Sequence, residues 1–357
     1  MEPSNPQFPW LELIDRPTFC VKDDFVIATN SEAEKYSIQA GMSIHEIVTE
    51  NREAYETFQK GNLFLTITAG NLPHKACITR TEEFDIFCIE QTEEDSQLQA
   101  LALAAQQLRI PLSNLMTVTD QMLLSLKPEK PETKTQIGQI NRSLFRILRI
   151  VSNMSDANNY KNNISREKQT VNFKSFFTET IEKIQITSDY SNRKIKFTGL
   201  KTAVFGLADR DRLSRAIYNL LANALKFSPA DSIVDVKLTQ VNNKLSFVVS
   251  NINIEPIEDY AFRNRFARKP TIEDDRFGLG LGMTLISSII CAHGGTILVD
   301  HPTANVTRVT TTIAIIKDDK GTVRSPIFRM GDYAGGRDKG LLELSEILPS
   351  EIYKDIN

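Results

Sequence analysis

The sequence has no run of apolar residues long enough to cross a bilayer as a helix. Such a span needs about 18 uninterrupted apolar residues, and the longest candidate, residues 285–292, is broken by Ser287 and Ser288. The first sixteen residues lack the basic run of a signal peptide and carry three prolines instead. Cysteine is scarce: Cys20, Cys77, Cys88 and Cys291 lie far apart and fit no metal-ligand spacing. A surplus of one charge is also missing, since the net charge is −3. That excludes the electrostatic footprint of a nucleic-acid binder. Histidine is confined to His45, His74, His293 and His301, which leaves none between 74 and 293. These absences predict a cytoplasmic protein with reduced thiols, no membrane span and an intracellular signal.

The 357 residues, 41% apolar and 24% charged, suffice for two or three domains with cores of their own. Residues 10–91 read as an α+β domain. Two strands within 19–28 are split by a turn at Lys22-Asp23-Asp24. Asn30 or Ser31 caps a short helix, and a further helical piece spans 43–59. Three strands follow at 63–68, 75–81 and 84–91, with the chain turning at Asn71-Leu72-Pro73. Two strands, short helices and three strands is the order of a PAS-type sensor, which this segment resembles in topology; another small α+β domain is the alternative.

Residues 93–162 carry two heptad stripes. Leu98, Leu101, Ala105, Leu108, Leu112, Leu115 and Met122 fall on alternating steps of three and four, with Thr119 in the gap. After a Pro/Lys-rich loop at 127–134, Ile137, Ile140, Leu144, Ile147, Val151 and Met154 repeat the pattern. Two such helices predict a hairpin whose seam is completed by a second copy in a dimeric four-helix bundle. From 166 to 316 the pattern becomes mixed α/β. Strands are expected at 169–173, 193–199, 233–239, 245–249, 296–300 and 306–315, and helices at 173–186, 212–227 and 282–293. Residues 317–357 form a tail with a Gly335-Gly336 break and an acidic amphipathic stretch at 341–348, of unknown role and expected to pack on its own domain.

Two motifs carry chemistry. Gly278, Gly280 and Gly282 stand at alternate positions before an apolar helix that ends in Ala292-His293-Gly294-Gly295. Such glycines let backbone approach a phosphate chain, and the helix start then offers its N–H groups to the anion. About fifty-five residues earlier, Asn219, Asn223 and Lys226 share one helix face. Amide oxygens such as that of Asn223 can ligate Mg²⁺, and the lysine can meet phosphate oxygens. Asparagines bonding only within a core are the alternative reading.

Together these motifs resemble the asparagine box and second glycine box of the sensor histidine kinase ATP-binding domain, of the histidine kinase/GHKL ATPase type. The resemblance implies an α/β sandwich, ATP and Mg²⁺ as cofactors, and a lid drawn here from Phe262, Arg263, Arg265, Phe266, Arg268, Lys269 and residues 273–276. An earlier family box, Asp-x-Gly-x-Gly, is replaced by Asn251-Ile252-Asn253-Ile254-Glu255. Asn251 keeps an amide oxygen at the position that meets adenine, without the charge. The hairpin resembles the dimerisation and phosphotransfer domain, whose signature is His-Glu-x-Arg-Thr-Pro-Leu. Here the residues are Gln106-Gln107-Leu108-Arg109-Ile110-Pro111-Leu112. The skeleton persists and the chemistry does not: an amide at Gln106 has no nucleophilic nitrogen lone pair, where an imidazole could attack a γ-phosphate. Gln107 lacks the basicity of glutamate. Ile110 lacks a hydroxyl.

The expected function is therefore a sensor histidine kinase-like protein of two-component signal transduction, a pseudokinase without its phosphoacceptor. It would form a homodimer through the hairpin and regulate a response regulator or a partner kinase. An ATP-dependent kinase acting on a partner in trans, and a nucleotide-independent scaffold, are the alternatives. A nucleotide-operated clamp of the same ATPase superfamily is disfavoured by the heptad hairpin.

Overall fold

The computed structural model describes residues 8–90, 93–126, 131–162, 168–255, 281–316 and 337–354. The first strands are β1 (Thr18–Lys22) and β2 (Phe25–Thr29), joined by a tight turn in which Asp23 and Asp24 have positive φ. Aspartate tolerates that conformation better than most residues. Asn30 Oδ1 then accepts from the Ala33 N–H at 2.9 Å and caps helix α1 (Ser31–Glu34). Two more short helices, α2 (Ile44–Ile47) and α3 (Arg52–Thr57), replace the single helical piece expected over 43–59. The first ends at Val48, and Asn51, with φ of 56°, stands at the start of the second. Strands β3 (Asn62–Ala69), β4 (Leu72–Arg80) and β5 (Asp85–Ile89) follow. The β3–β4 reversal is tighter than the sequence suggests: Gly70 and Asn71 turn with positive φ, and Leu72 and Pro73 already belong to β4.

Helices α4 (Glu93–Leu126) and α5 (Pro131–Asn162) pack against each other. The second half of the chain contributes β6 (Gln169–Asn172), α6 (Phe173–Ser188), β7 (Lys194–Thr198), β8 (Phe205–Ala208), α7 (Arg210–Lys226), β9 (Ile233–Val241) and β10 (Lys244–Ile252). After these come α8 (Leu281–Ala292), β11 (Ile297–Thr303), β12 (Val306–Ala314) and α9 (Lys339–Glu343). Burial alternates along β9 and β10, so one sheet face is covered by helices and the other faces solvent. Phe173, Phe177, Ile181, Leu221, Phe247 and Ile289 form the middle of the resulting core.

Ten strands form one sheet in the order β2-β1-β5-β4-β3-β11-β12-β10-β9-β7. Every pairing is antiparallel except β7 with β9. The continuity rests on a three-residue seam, in which Asn62, Leu63 and Phe64 of β3 pair with Val299, Leu298 and Ile297 of β11. An unpaired edge strand exposes a row of N–H and C=O groups, and here two edges cover each other. Gly61 permits the approach: with φ of 106°, a Cβ there would lie 2.2 Å from the Val299 carbonyl oxygen. The seam is packed as well as hydrogen-bonded, since Leu298 reaches the core of the first five strands and Phe64 the core of the second half. Lys75 Nζ donates to Ser288 Oγ on α8 at 2.6 Å, and Lys244 Nζ to Asn51 Oδ1 at 2.9 Å.

The C-terminal segment 338–354 lies along α5 and also touches α6 and α7. Asp338 caps α9, and Leu342, Leu344, Leu348 and Tyr353 are fully buried. The Tyr353 ring meets Phe145 of α5 edge-on at 5.1 Å, and its hydroxyl donates to the Leu341 carbonyl at 2.7 Å. Asn141 Nδ2 donates to the Tyr353 carbonyl at 3.0 Å.

Candidate nucleotide site

Helix α7 begins at Asp209, whose Oδ1 accepts from the Asp211 and Arg212 N–H groups at 3.1 Å. Its helical spacing brings Asn219, Asn223 and Lys226 to one side, and α8 packs against it. Contact between the two motifs is direct: a Cβ on Gly282 would lie 3.6 Å from Asn219 Oδ1 and 3.8 Å from Asn223 Nδ2. Asn219 is buried; its Nδ2 donates to the Arg215 carbonyl at 3.1 Å, while its Oδ1 has no hydrogen-bond partner among the described residues. A buried acceptor without a donor costs about 1–3 kcal/mol, and a divalent cation or its bound water would satisfy it. The asparagine pair therefore fits a hydrated Mg²⁺, which takes oxygen ligands and retains waters. Gly278, Gly280 and the expected lid lie outside the described residues.

Asn251 sits near the end of β10, buried, and its Nδ2 donates to Asn253 Oδ1 at 3.2 Å. The Ile254 N–H donates to the Phe227 carbonyl at 3.0 Å, tying this strand end to the end of α7. Thr307 Oγ1 also donates to Asn253 Oδ1, at 3.0 Å. A neutral amide network thus occupies the stretch where the resembled family places an acid and two glycines.

Lys226 is not open to solvent anions. Its Nζ is paired with Glu346 of the C-terminal segment. Glu346 also accepts from Arg149 of α5 at 2.8 Å, Arg149 donates to Glu343 at 3.1 Å, and Glu343 pairs with Arg215 of α7. Cations and carboxylates thus alternate from Lys226 to Arg215, across two helices and the C-terminal segment. Arg215 and Glu343 are both 0% exposed. Burial alone would raise the Glu346 carboxyl, but Arg149 and Lys226 beside it hold it below the usual range. Sequence reasoning missed this ladder, because its acids lie in a segment with no periodic relation to α5 or α7. The one available signal was the pair Glu343 and Glu346 in an otherwise apolar stretch.

His293 closes α8. The Asp209 N–H donates to its Nε2 at 3.1 Å, so the ring proton sits on Nδ1, which donates to the Ile289 carbonyl at 2.7 Å. Burial, the largest influence, lowers its pKa. The ring is a neutral strut between α8 and the start of α7. Gln106 lies exposed on α4, one turn before Pro111, and α4 continues unbroken through that proline.

Along the hairpin the heptad stripes split into two classes. Ala105, Leu112, Ile137, Leu144 and Val151 are buried, whereas Leu108 is 50% and Leu115 57% exposed, with Met122, Ile140 and Ile147 similarly open. No helix among the described residues is long and apolar enough to cross a membrane.

Residues 208–317 match the family described as histidine kinase-, DNA gyrase B-, and HSP90-like ATPase. Among curated proteins, the chain is 28% identical over 201 residues to the sensor histidine kinase CusS of Escherichia coli K12, covering 55% of this chain and 41% of that one. It is 28% identical over 234 residues to the signal transduction histidine-protein kinase/phosphatase MprB of Mycolicibacterium vanbaalenii, covering 62% and 46%. The chain thus spans less than half the length of these relatives. Among solved structures, full-length ShkA in complex with AMPPNP aligns with a TM-score of 0.48 at 18% identity, covering 62% of this chain and 46% of that one. Residues 208–317, which include the asparagine face of α7 and its contact with Gly282, thus carry an HATPase-type α+β domain, and the chain is similar to sensor histidine kinases over little more than half of its length.

Proposed function

We propose that the chain is a degenerate sensor histidine kinase, a regulator in two-component signalling that does not phosphorylate itself on the usual site. The observation that carries this reading is Gln106, exposed on α4 where the family has its phosphoacceptor, in a hairpin with no histidine from 93 to 162. An amide cannot accept the γ-phosphoryl group as an imidazole does. The retained Arg109, Pro111 and buried Leu112 support a fold kept for binding. In this reading residues 10–91 are a PAS-like sensor, 93–162 the dimerisation and phosphotransfer-like hairpin, 166–316 the ATP-binding domain, and 317–357 a tail. Asn219 and Asn223 hold Mg²⁺, with Asn223 as the ligand; Lys226, Gly278, Gly280 and Gly282 face the ATP phosphates, and Asn251 faces the base. The exposed row Leu108, Leu115, Met122, Ile140 and Ile147 pairs with a second copy, and the bundle engages a response regulator or partner kinase in the cytoplasm.

Two measurements test the reading. Incubation with γ-labelled ATP should leave no acid-labile label on the chain, and phosphohistidine on it would refute the pseudokinase. Calorimetric titration with Mg²⁺ and ATP should show binding that Asn223→Ala abolishes. A nucleotide-independent scaffold is the second reading, favoured by the Glu346 pairing of Lys226 and the neutral Asn251–Asn253 network. Absence of binding up to millimolar ATP, also with Glu346 neutralised, would select it.

A further inference from the structure

The anchoring of the C-terminal segment and the placement of its acids differ in kind. Leu342, Leu344, Leu348 and Tyr353 are at most 1% exposed, and this apolar burial anchors the segment on α5 and the helices beside it. Glu346 sits at the rim, with its side chain 26% exposed, against a lysine side chain 16% exposed. Lys226 is on the same side of α7 as Asn219 and Asn223, one turn beyond the contact with Gly282. We infer that Glu346 is a built-in anion which occupies Lys226 in place of a nucleotide phosphate, so that the docked C-terminal segment holds the nucleotide site in a low-affinity state. The inference rests on the reading of α7 and α8 as a nucleotide site.

A bound phosphate chain need not displace the segment. The Glu346 carboxylate is held through one oxygen by Lys226 and through the other by Arg149 at 2.8 Å. Swinging away from Lys226 leaves the Arg149 contact and the apolar anchors in place. The competition is therefore between two anions for one lysine, and it costs only a partly exposed ion pair. An exposed pair is lost at little cost and a buried one is costly to break; this one lies between, which sets the expected penalty on affinity at roughly tenfold. The backbone adds a second hold independent of charge: Arg142 donates to the Ser345 and Glu346 carbonyls at 3.1 and 3.0 Å. Neutralising the carboxylate should thus leave the segment docked.

The test is a calorimetric titration of the full chain with Mg²⁺ and ATP, comparing the wild type, Glu346→Gln, Lys226→Ala and the double variant. Circular dichroism and thermal melting check that each is folded. Glu346→Gln is isosteric and keeps an oxygen for Arg149. The expected result is about tenfold tighter binding in Glu346→Gln and no gain from the same change when Lys226 is alanine. Binding first detectable in Glu346→Gln would also support the inference. Equal affinity of wild type and Glu346→Gln within twofold would overturn it while leaving the nucleotide site intact. A gain that persists without Lys226 would overturn it as well, since the carboxylate would then act elsewhere. Absence of binding in all four proteins would remove the inference together with the nucleotide reading, and only in that outcome does the reading itself fail.

Discussion

Replacing Glu343 by alanine should be strongly destabilising even though it removes no apolar surface. Glu343 is 0% exposed and accepts from two guanidinium groups, Arg215 of α7 and Arg149 of α5. Removing one partner of a buried ion pair typically costs about 3–5 kcal/mol, because the charge left behind remains desolvated. Here each arginine retains an acceptor: Arg215 keeps Asn153 Oδ1 at 2.8 Å and Arg149 keeps Glu346 at 2.8 Å. That places the expected loss at the lower end, about 3 kcal/mol. Urea denaturation followed by far-UV circular dichroism reads it directly. With a slope of about 1–3 kcal/mol per molar urea, the midpoint should fall by about 1–3 M. The same argument predicts that Arg215→Met combined with Glu343→Met recovers most of the loss, since no unpaired charge then remains at Arg215. A loss below about 1 kcal/mol for Glu343→Ala would refute the reasoning. It would mean that water reaches Arg215 and that the segment is not a fixed part of the core.

Three further outcomes follow from other parts of the molecule. Gly61→Val should open the seam between β3 and β11, because its Cβ would collide with the Val299 carbonyl oxygen and its φ is positive; the expected cost is about 1–3 kcal/mol, read as faster amide exchange in residues 62–64 and 297–299. His293 has a folded pKa below its ordinary value of about 6.5, so the unfolded chain binds its proton first as pH falls. Its contribution to stability is present above about pH 6.5 and is lost progressively below it; urea midpoints at pH 5.5 and 7.5 should differ less in His293→Gln than in the wild type. Leu115→Lys, at an exposed position, should change the stability of one copy by no more than about 0.5 kcal/mol, yet shift the mass in light scattering from dimer to monomer; an unchanged mass in both proteins would count against the bundle.

How far the sequence disclosed the molecule depended on whether a signal was local. Asn30 as a cap, the Asp23-Asp24 turn and the three long helices of the second half were legible because side chain, backbone and periodicity agree within a few residues. The sequence grouped Asn219, Asn223 and Gly282 because helix spacing and a glycine motif each point to the same ligand chemistry, and α7 meets α8 at these three residues. Strand β8 escaped notice: Phe205–Ala208 is four residues long, and its glycine, which weakens a strand reading, is needed where Phe173 packs close to the backbone.

The β3–β11 seam and the ladder from Lys226 to Arg215 were illegible for a different reason. Both join residues about two hundred positions or, along the ladder, more than a hundred positions apart, through a relation that no periodicity records. The heptad stripes show the intermediate case. Sequence assigned all their apolar residues to one seam, but burial divides them. Ala105 and Leu112 face the same chain, and Leu108 and Leu115 do not. A stripe that served only the intramolecular hairpin would have no reason to repeat leucine at both classes of position. Apolar residues at 50% and 57% exposure along one face are what the proposed four-helix seam would leave open in a single copy. Leu112 and Leu144 thus hold the fold of a single copy, while Leu108 and Leu115 lie on the face that the proposed dimer would use, which is what the Leu115→Lys measurement reads.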